Sequence, residues 1–98
     1  MNEQAARSLI KSELDKLRQL AYSELVTMIG NPSTKEVIAD DGKWYQLETE
    51  VFWDNKRPKD LRVMVAADDG GWRAFKPLTG DFIIRPVGSF VGELLGGY

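Results

Sequence analysis

The fold of this chain is decided by one ten-residue stretch, Trp44-Tyr45-Gln46-Leu47-Glu48-Thr49-Glu50-Val51-Phe52-Trp53. Every second residue belongs to an apolar, aromatic or β-branched row, which comprises Tyr45, Leu47, Thr49, Val51 and Trp53. The alternate row is charged in its middle and aromatic at its ends, and comprises Trp44, Gln46, Glu48, Glu50 and Phe52. Because successive side chains of a strand point to opposite faces, this pattern predicts a long central strand with one face on a core and one in water.

Shorter alternating segments predict further strands on either side, at residues 35–39, 61–67, 72–76 and 82–85. Turns are expected at Asp40-Asp41-Gly42-Lys43, Asp68-Asp69-Gly70-Gly71 and Pro77-Leu78-Thr79-Gly80-Asp81. The Asp-Gly pairs supply the positive φ angles that tight hairpin turns need. Because the connections are short, consecutive strands are expected to be antiparallel neighbours.

Residues 3–29 carry the apolar spacing of three and four that is typical of a helix. The stripe comprises Ala6, Leu9, Ile10, Leu14, Leu17, Leu20 and Ala21. The charge pattern is interrupted near residues 21–23, so we predict a break there, with Ser23 capping a short second helix over residues 24–29. One unbroken helix is the alternative. Gly30-Asn31-Pro32 is expected to end the helical region.

This order of elements predicts an α+β domain over residues 1–86. The N-terminal helix is expected to pack on one face of a four- to five-stranded antiparallel meander, which is cystatin-like in architecture. That comparison carries no function with it. Residues 87–98 form a glycine-spaced apolar tail for which no stable element is expected.

Composition narrows the chemistry. The 98 residues include no histidine and no cysteine, and 13 basic and 15 acidic residues leave a net charge of −2. Histidine is the commonest general base near neutral pH, and cysteine supplies thiolates, so we expect neither an enzyme nor a bound cofactor. The near-neutral charge gives no general attraction to nucleic acid. The sequence shows no signal peptide and no membrane span, so we expect a cytoplasmic protein.

Runs that resemble known proteins occur at Leu17-Arg18-Gln19-Leu20-Ala21-Tyr22-Ser23-Glu24-Leu25, at Gly42-Lys43-Trp44-Tyr45-Gln46-Leu47-Glu48 with Phe52-Trp53-Asp54, and at Asp68-Asp69-Gly70-Gly71-Trp72-Arg73-Ala74-Phe75 with Pro77-Leu78-Thr79. Together they resemble a group of small bacterial α+β proteins of unassigned function, over residues 17–85. The resemblance implies a shared fold. It brings no catalytic or binding motif with it.

Two acidic patterns are candidate sites. Glu48 and Glu50 share one face of the central strand, at about 7 Å, which suits a carboxylate pair or a hard metal ion. We expect instead that Arg62, and Arg73 beyond it, pair with them as exposed salt bridges. The turns at residues 40–41 and 68–69 are expected at the same end of the sheet. A shared weak cation site there is a minor hypothesis, because neither turn has the alternating acidic positions of a calcium loop.

The charged row also carries the candidate interaction surface, Trp44, Phe52, Arg62 and Met64. Exposed aromatics on an open sheet favour a protein partner. The acidic residues between them disfavour nucleic acid. The alternative is that the tail residues 90–95 fold back and cover Trp44 and Phe52. The sequence therefore favours a non-enzymatic interaction or regulatory domain, with a Glu48 and Glu50 enzyme or a homodimer as alternatives.

Overall fold

The computed structural model describes residues 2–55, 58–69 and 77–91. The helices and strands within these ranges are α1 (Glu3–Leu17), α2 (Tyr22–Val26), β1 (Ser33–Ile38), β2 (Trp44–Trp53), β3 (Leu61–Asp68) and β4 (Leu78–Ile84). The strands form one antiparallel sheet in the order β1-β2-β3-β4. The predicted α+β class, N-terminal helix and antiparallel meander are confirmed, and the arrangement is compatible with a cystatin-like architecture.

The strand register separates two faces of the sheet. The inner face carries the odd-numbered residues of β1, β2 and β3 and the even-numbered residues of β4. The outer face carries the even-numbered residues of β1, β2 and β3 and the odd-numbered residues of β4. Both the bounds and the inward row of the predicted central strand agree with β2, in which residues 45, 47, 49 and 51 are buried.

Helix α1 packs on the inner face against β3 and β4. Asn2 begins it, because its side-chain Oδ1 accepts a hydrogen bond from the Ala5 amide at 3.1 Å. The buried side of the helix comprises Ala6, Ile10, Leu14 and Leu17. Gly80 of β4 lets the helix approach, because a Cβ atom there would lie 2.8 Å from Ile10 Cγ2.

The predicted break between the helices is confirmed, but the predicted cap is wrong. Helix α2 begins at Tyr22 rather than at residue 24, and its N-cap is Ala21. Alanine has no side-chain acceptor, so Glu24 at the third helical position accepts the Ala21 amide through Oε1 at 3.0 Å. Ser23 lies inside the helix and is exposed.

The end of the sheet differs from the prediction. Residues 78–81 were predicted as a turn, but they form the first part of β4. The predicted strand over residues 72–76 lies outside the described residues, as does the turn after Asp69 from Gly70 onward.

The chain folds back after β4. The amide of Val91 donates to the Ile83 carbonyl at 2.9 Å, and the Phe90 ring packs edge-on against Phe82 with centroids 5.4 Å apart. The guanidinium of Arg18, at the end of α1, lies over both rings, 4.9 Å from the Phe82 centroid. The folded domain therefore continues at least to Val91, and residues 92–98 of the predicted tail lie outside the described residues.

Candidate functional site

One end of the outer face carries an exposed apolar pair. Trp44 and Ile38 are direct cross-strand partners on β2 and β1. They are 59% and 56% exposed, respectively. Directly opposed residues in an antiparallel pair have Cβ atoms about 5 Å apart, so the two side chains form one continuous apolar area. We call this pair the apolar pair.

Trp44 was among the predicted surface residues, whereas Ile38 was missed. The signal was present in the sequence, because Ile38 is an apolar residue in the otherwise polar row of β1 with Thr34 and Glu36.

The other end of the outer face is more closely packed. Phe52 and Arg62 are cross-strand partners, and Ile83 lies beside Arg62 on β4. Met64 is the next outer residue of β3, and all four side chains are half-buried. The structure thus brings three of the predicted surface residues, Phe52, Arg62 and Met64, to one end and places Trp44 at the other.

The expectation that Arg62 pairs with Glu48 and Glu50 is wrong. Arg62 instead forms ion pairs with Asp81 of β4 and, at 3.1 Å, with Asp54 just after β2. The hydrogen bond to Asp81, followed by that to Asp54, raises the pKa of the Arg62 guanidinium. The Asp54 side chain is only 7% exposed. Because Arg62 is on β3, Asp54 follows β2 and Asp81 is on β4, these two ion pairs connect three adjacent strands. Arg73 lies outside the described residues.

The middle of the outer face is acidic. Glu48 and Glu50 lie opposite Ala66 and Met64 of β3, and Glu36 lies beside them on β1. All three carboxylates are exposed. Within residues 2–55, 58–69 and 77–91 none of them forms an ion pair. The apolar pair and the Phe52 end are therefore separated by a strip of negative charge, which we call the acidic strip.

Glu48 and Glu50 both lie on the outer face of β2, and both are exposed. Catalytic acids and bases are most often found in a pocket that holds the substrate.

The described elements form clefts on the helix side of the sheet, of which two are well defined. One, of about 290 Å³, lies between the start of α1 and the β1–β2 turn and is lined by Asn2, Gln4, Ala5, Ser8, Asp40 and Asp41. The other, of about 350 Å³, lies between α1 and β4 and is lined by Arg7, Ile10, Lys11, Leu14, Arg18, Thr79 and Gly80. Neither contains Glu48 or Glu50, so neither supplies a substrate pocket for that pair.

The β1–β2 turn is as predicted and has its own polar structure. Gly42 adopts φ +80°, and its amide donates to the Ala39 carbonyl at 2.9 Å. Asp41 accepts hydrogen bonds from the Lys43 amide at 3.0 Å and the Tyr45 hydroxyl at 2.9 Å. The Lys43 amide is the main cause that lowers the pKa of Asp41.

The same contact affects Tyr45. Burial, followed by the hydrogen bond to Asp41, raises the pKa of the Tyr45 phenol. Each carboxylate oxygen of Asp41 therefore accepts one hydrogen bond, Oδ1 from the Lys43 amide within the turn and Oδ2 from the Tyr45 hydroxyl of the inner row.

The register brings Asp68 opposite Gln46, which places the end of β3 near the β1–β2 turn, as expected. A cation site would need several converging oxygen ligands. Within the described ranges no group of three acidic, histidine or cysteine side chains is arranged to hold a metal ion. The shared cation site therefore stays a prediction without a described ligand set.

Two further aromatic predictions have clear outcomes. Trp53 belongs to the inner row, as expected, but it is 47% exposed and is not part of the core. Phe90 packs against Phe82, whose side chain is on the inner face. With the described tail residues in place, Trp44 is 59% exposed and Phe52 is half-buried. The remaining residues of the predicted cover, 92–95, lie outside the described residues, as does Trp72.

No protein-family model, no curated protein and no solved structure matches this chain. Among the helices described, none is long and apolar enough to cross a membrane. The candidate site is therefore identified from the geometry of the outer face alone.

Proposed function

We propose that this domain is a non-enzymatic protein-interaction module of the cytoplasm that binds its partner through the outer face of the sheet. The observation that carries the proposal is the exposed apolar pair, Trp44 with Ile38. Both side chains lie on the outer face of a sheet whose inner face carries the hydrophobic core.

The energetic argument concerns Trp44. A tryptophan buries up to about 250 Å² when fully enclosed. With 59% of its surface exposed, roughly 150 Å² is available to a partner, worth about 3–4 kcal/mol at 25 cal/mol per Å². Residues of this size on a preformed surface are the ones that dominate protein interfaces.

The enzyme alternative, with Glu48 and Glu50 as acid and base, lacks a described pocket, and no observation favours it.

The test compares two tryptophans of the same strand. Wild-type domain, Trp44→Ser and Trp53→Ser are immobilised and used to capture proteins from cell lysate. Trp53 is the matched control because it is also exposed, at 47%, but belongs to the inner row. We expect a partner that wild type and Trp53→Ser retain and Trp44→Ser loses, with all three proteins folded by circular dichroism. Equal capture by all three, or no specific capture by wild type, would count against the proposal.

A further inference from the structure

We infer that the partner segment is a basic amphipathic helix, lysine- or arginine-rich in its middle and apolar towards its ends. This inference rests on the proposed function, because it names the occupant of the same face. It follows from the order of groups along the outer face, where the acidic strip separates the apolar pair from the Phe52 end.

Charge complementarity identifies the sign of the partner. Glu36, Glu48 and Glu50 are exposed and form no ion pair within the described ranges. The one cation on the outer face of the described strands, Arg62, is already held by Asp54 and Asp81. A ligand that covers the strip must therefore supply positive charge, because an uncompensated carboxylate is costly to bury.

The same charges exclude other occupants. A second copy bound face to face by a twofold axis would place the acidic strip against its own image, which is repulsive. Nucleic acid and an anionic lipid surface present phosphates and are repelled for the same reason. A basic polypeptide remains.

Backbone geometry favours a helix over an added strand. Trp44, Glu48, Glu50 and Phe52 all lie on β2, an interior strand whose backbone groups are paired with β1 and β3, and a strand added at the edge of β1 would not cover them. Strand addition needs an open edge, whereas an interior sheet face binds through side chains. α1 packs in this manner on the inner face.

Length sets the size of the helix. Trp44 and Phe52 are eight residues apart on β2, about 26 Å at 3.3 Å per residue. A helix rises 1.5 Å per residue, so about 18 residues span both ends of the face.

The test uses a synthetic 18-residue helical peptide with leucines at both ends and lysines along the middle of one face. A matched peptide carries glutamate in place of each lysine. Binding to the full domain is followed through the indole N–H signals of Trp44 and Trp53 in NMR spectra at low salt. We expect saturable shifts of the Trp44 signal with the lysine peptide, little change at Trp53, and no binding of the glutamate peptide.

The charge variant is Glu48→Gln/Glu50→Gln, and its control is Glu3→Gln/Asp15→Asn, which removes the same charge from α1 on the other side of the sheet. Loss of two exposed charge contacts should weaken binding by about three- to tenfold, whereas the control should change it less than twofold. No binding of the lysine peptide, equal weakening by both variants, or a Trp44-dependent dimer in sedimentation would overturn the inference.

Capture from lysate separates this inference from the proposed function. A captured partner that is lost with Trp44→Ser but retained by Glu48→Gln/Glu50→Gln would leave the interaction module in place and overturn the basic helix. Loss with both variants supports the interaction module, and the peptide titration then decides whether the bound segment is a basic helix.

Discussion

The two faces of β2 share one backbone but differ in what they contribute. On the inner face, Tyr45, Leu47 and Val51 are buried against the core. On the outer face, Trp44, Gln46, Glu48 and Glu50 are exposed. Because alternate residues of a strand point to opposite sides, substitutions on one row leave the contacts of the other row in place. The residues that stabilise the fold are therefore concentrated on the inner row, while substitutions on the outer row are tolerated and leave it available for binding.

The largest loss of stability is expected from a substitution in the buried inner row of β2. Leu47 is 2% exposed, and Leu47→Ala removes buried methyl groups and leaves a cavity. We expect the free energy of unfolding to fall by about 2–5 kcal/mol in urea titrations. The neighbouring substitution Gln46→Ala, on the outer face, should change it by no more than about 0.5 kcal/mol. Similar losses in the free energy of unfolding from both substitutions would show that the two faces contribute equally to stability.

The next effect concerns how α1 covers the inner row. Gly80→Ala would place a Cβ atom 2.8 Å from Ile10 Cγ2 and 3.2 Å from Leu14 Cδ1, so the helix must shift. We expect a loss of about 1–3 kcal/mol in the free energy of unfolding.

A double-mutant cycle identifies that contact. In an Ile10→Ala background the clashing methyl group is absent, so adding Gly80→Ala should cost clearly less than it does alone. An equal cost in both backgrounds would mean that the effect does not come from the contact between α1 and β4.

A smaller loss of stability is expected from a substitution at the contact between the inner row and the β1–β2 turn. Tyr45→Phe removes the hydroxyl that donates to Asp41 at 2.9 Å. We expect a loss of about 1 kcal/mol in the free energy of unfolding at neutral pH.

The pH dependence gives that substitution a second readout. The pKa of Tyr45 is raised in the folded state, so the unfolded chain loses this proton first as pH rises above about 10. Tyr45 therefore contributes stability below that pH, and the contribution is lost as pH rises through the folded-state pKa. Unfolding at neutral and alkaline pH should show a shallower alkaline decline for Tyr45→Phe than for wild type. Parallel declines would mean that Tyr45 does not titrate with folding.

Much of this fold could be predicted from local pattern. The bounds of β2 were predicted because its period-two alternation is unbroken over ten residues. The β1–β2 turn could be predicted from its Asp-Gly pair, and Gly42 adopts the positive φ that such a turn requires. Both signals come from neighbouring residues alone.

The errors concern contacts between distant residues. Thr79-Gly80-Asp81 resembles a turn locally, but these residues pair with Met64, Val65 and Ala66 of β3 and so lie in a strand. Similarly, the pairing of Arg62 with Asp81 depends on the register between β3 and β4, which the sequence does not show.

The candidate site was predicted in part for the same reason. Alternation placed Trp44 on the outer face, but the pairing of Ile38 with Trp44 depends on the register of β1. Alternation also placed Trp53 correctly on the inner row. It does not show that this residue is largely exposed at the end of the strand, since the extent of the cover is a tertiary property.

If the proposed module binds its partner through the outer face of β2, Trp44 will contact the partner and Trp53, on the inner row, will not. The most direct measurement replaces Trp44 or Trp53 with a photo-reactive benzoylphenylalanine, irradiates each protein in cell lysate, and identifies the cross-linked products. We expect a specific cross-linked protein from position 44 and none from position 53. A product from position 53 alone, or the same products from both positions, would contradict it.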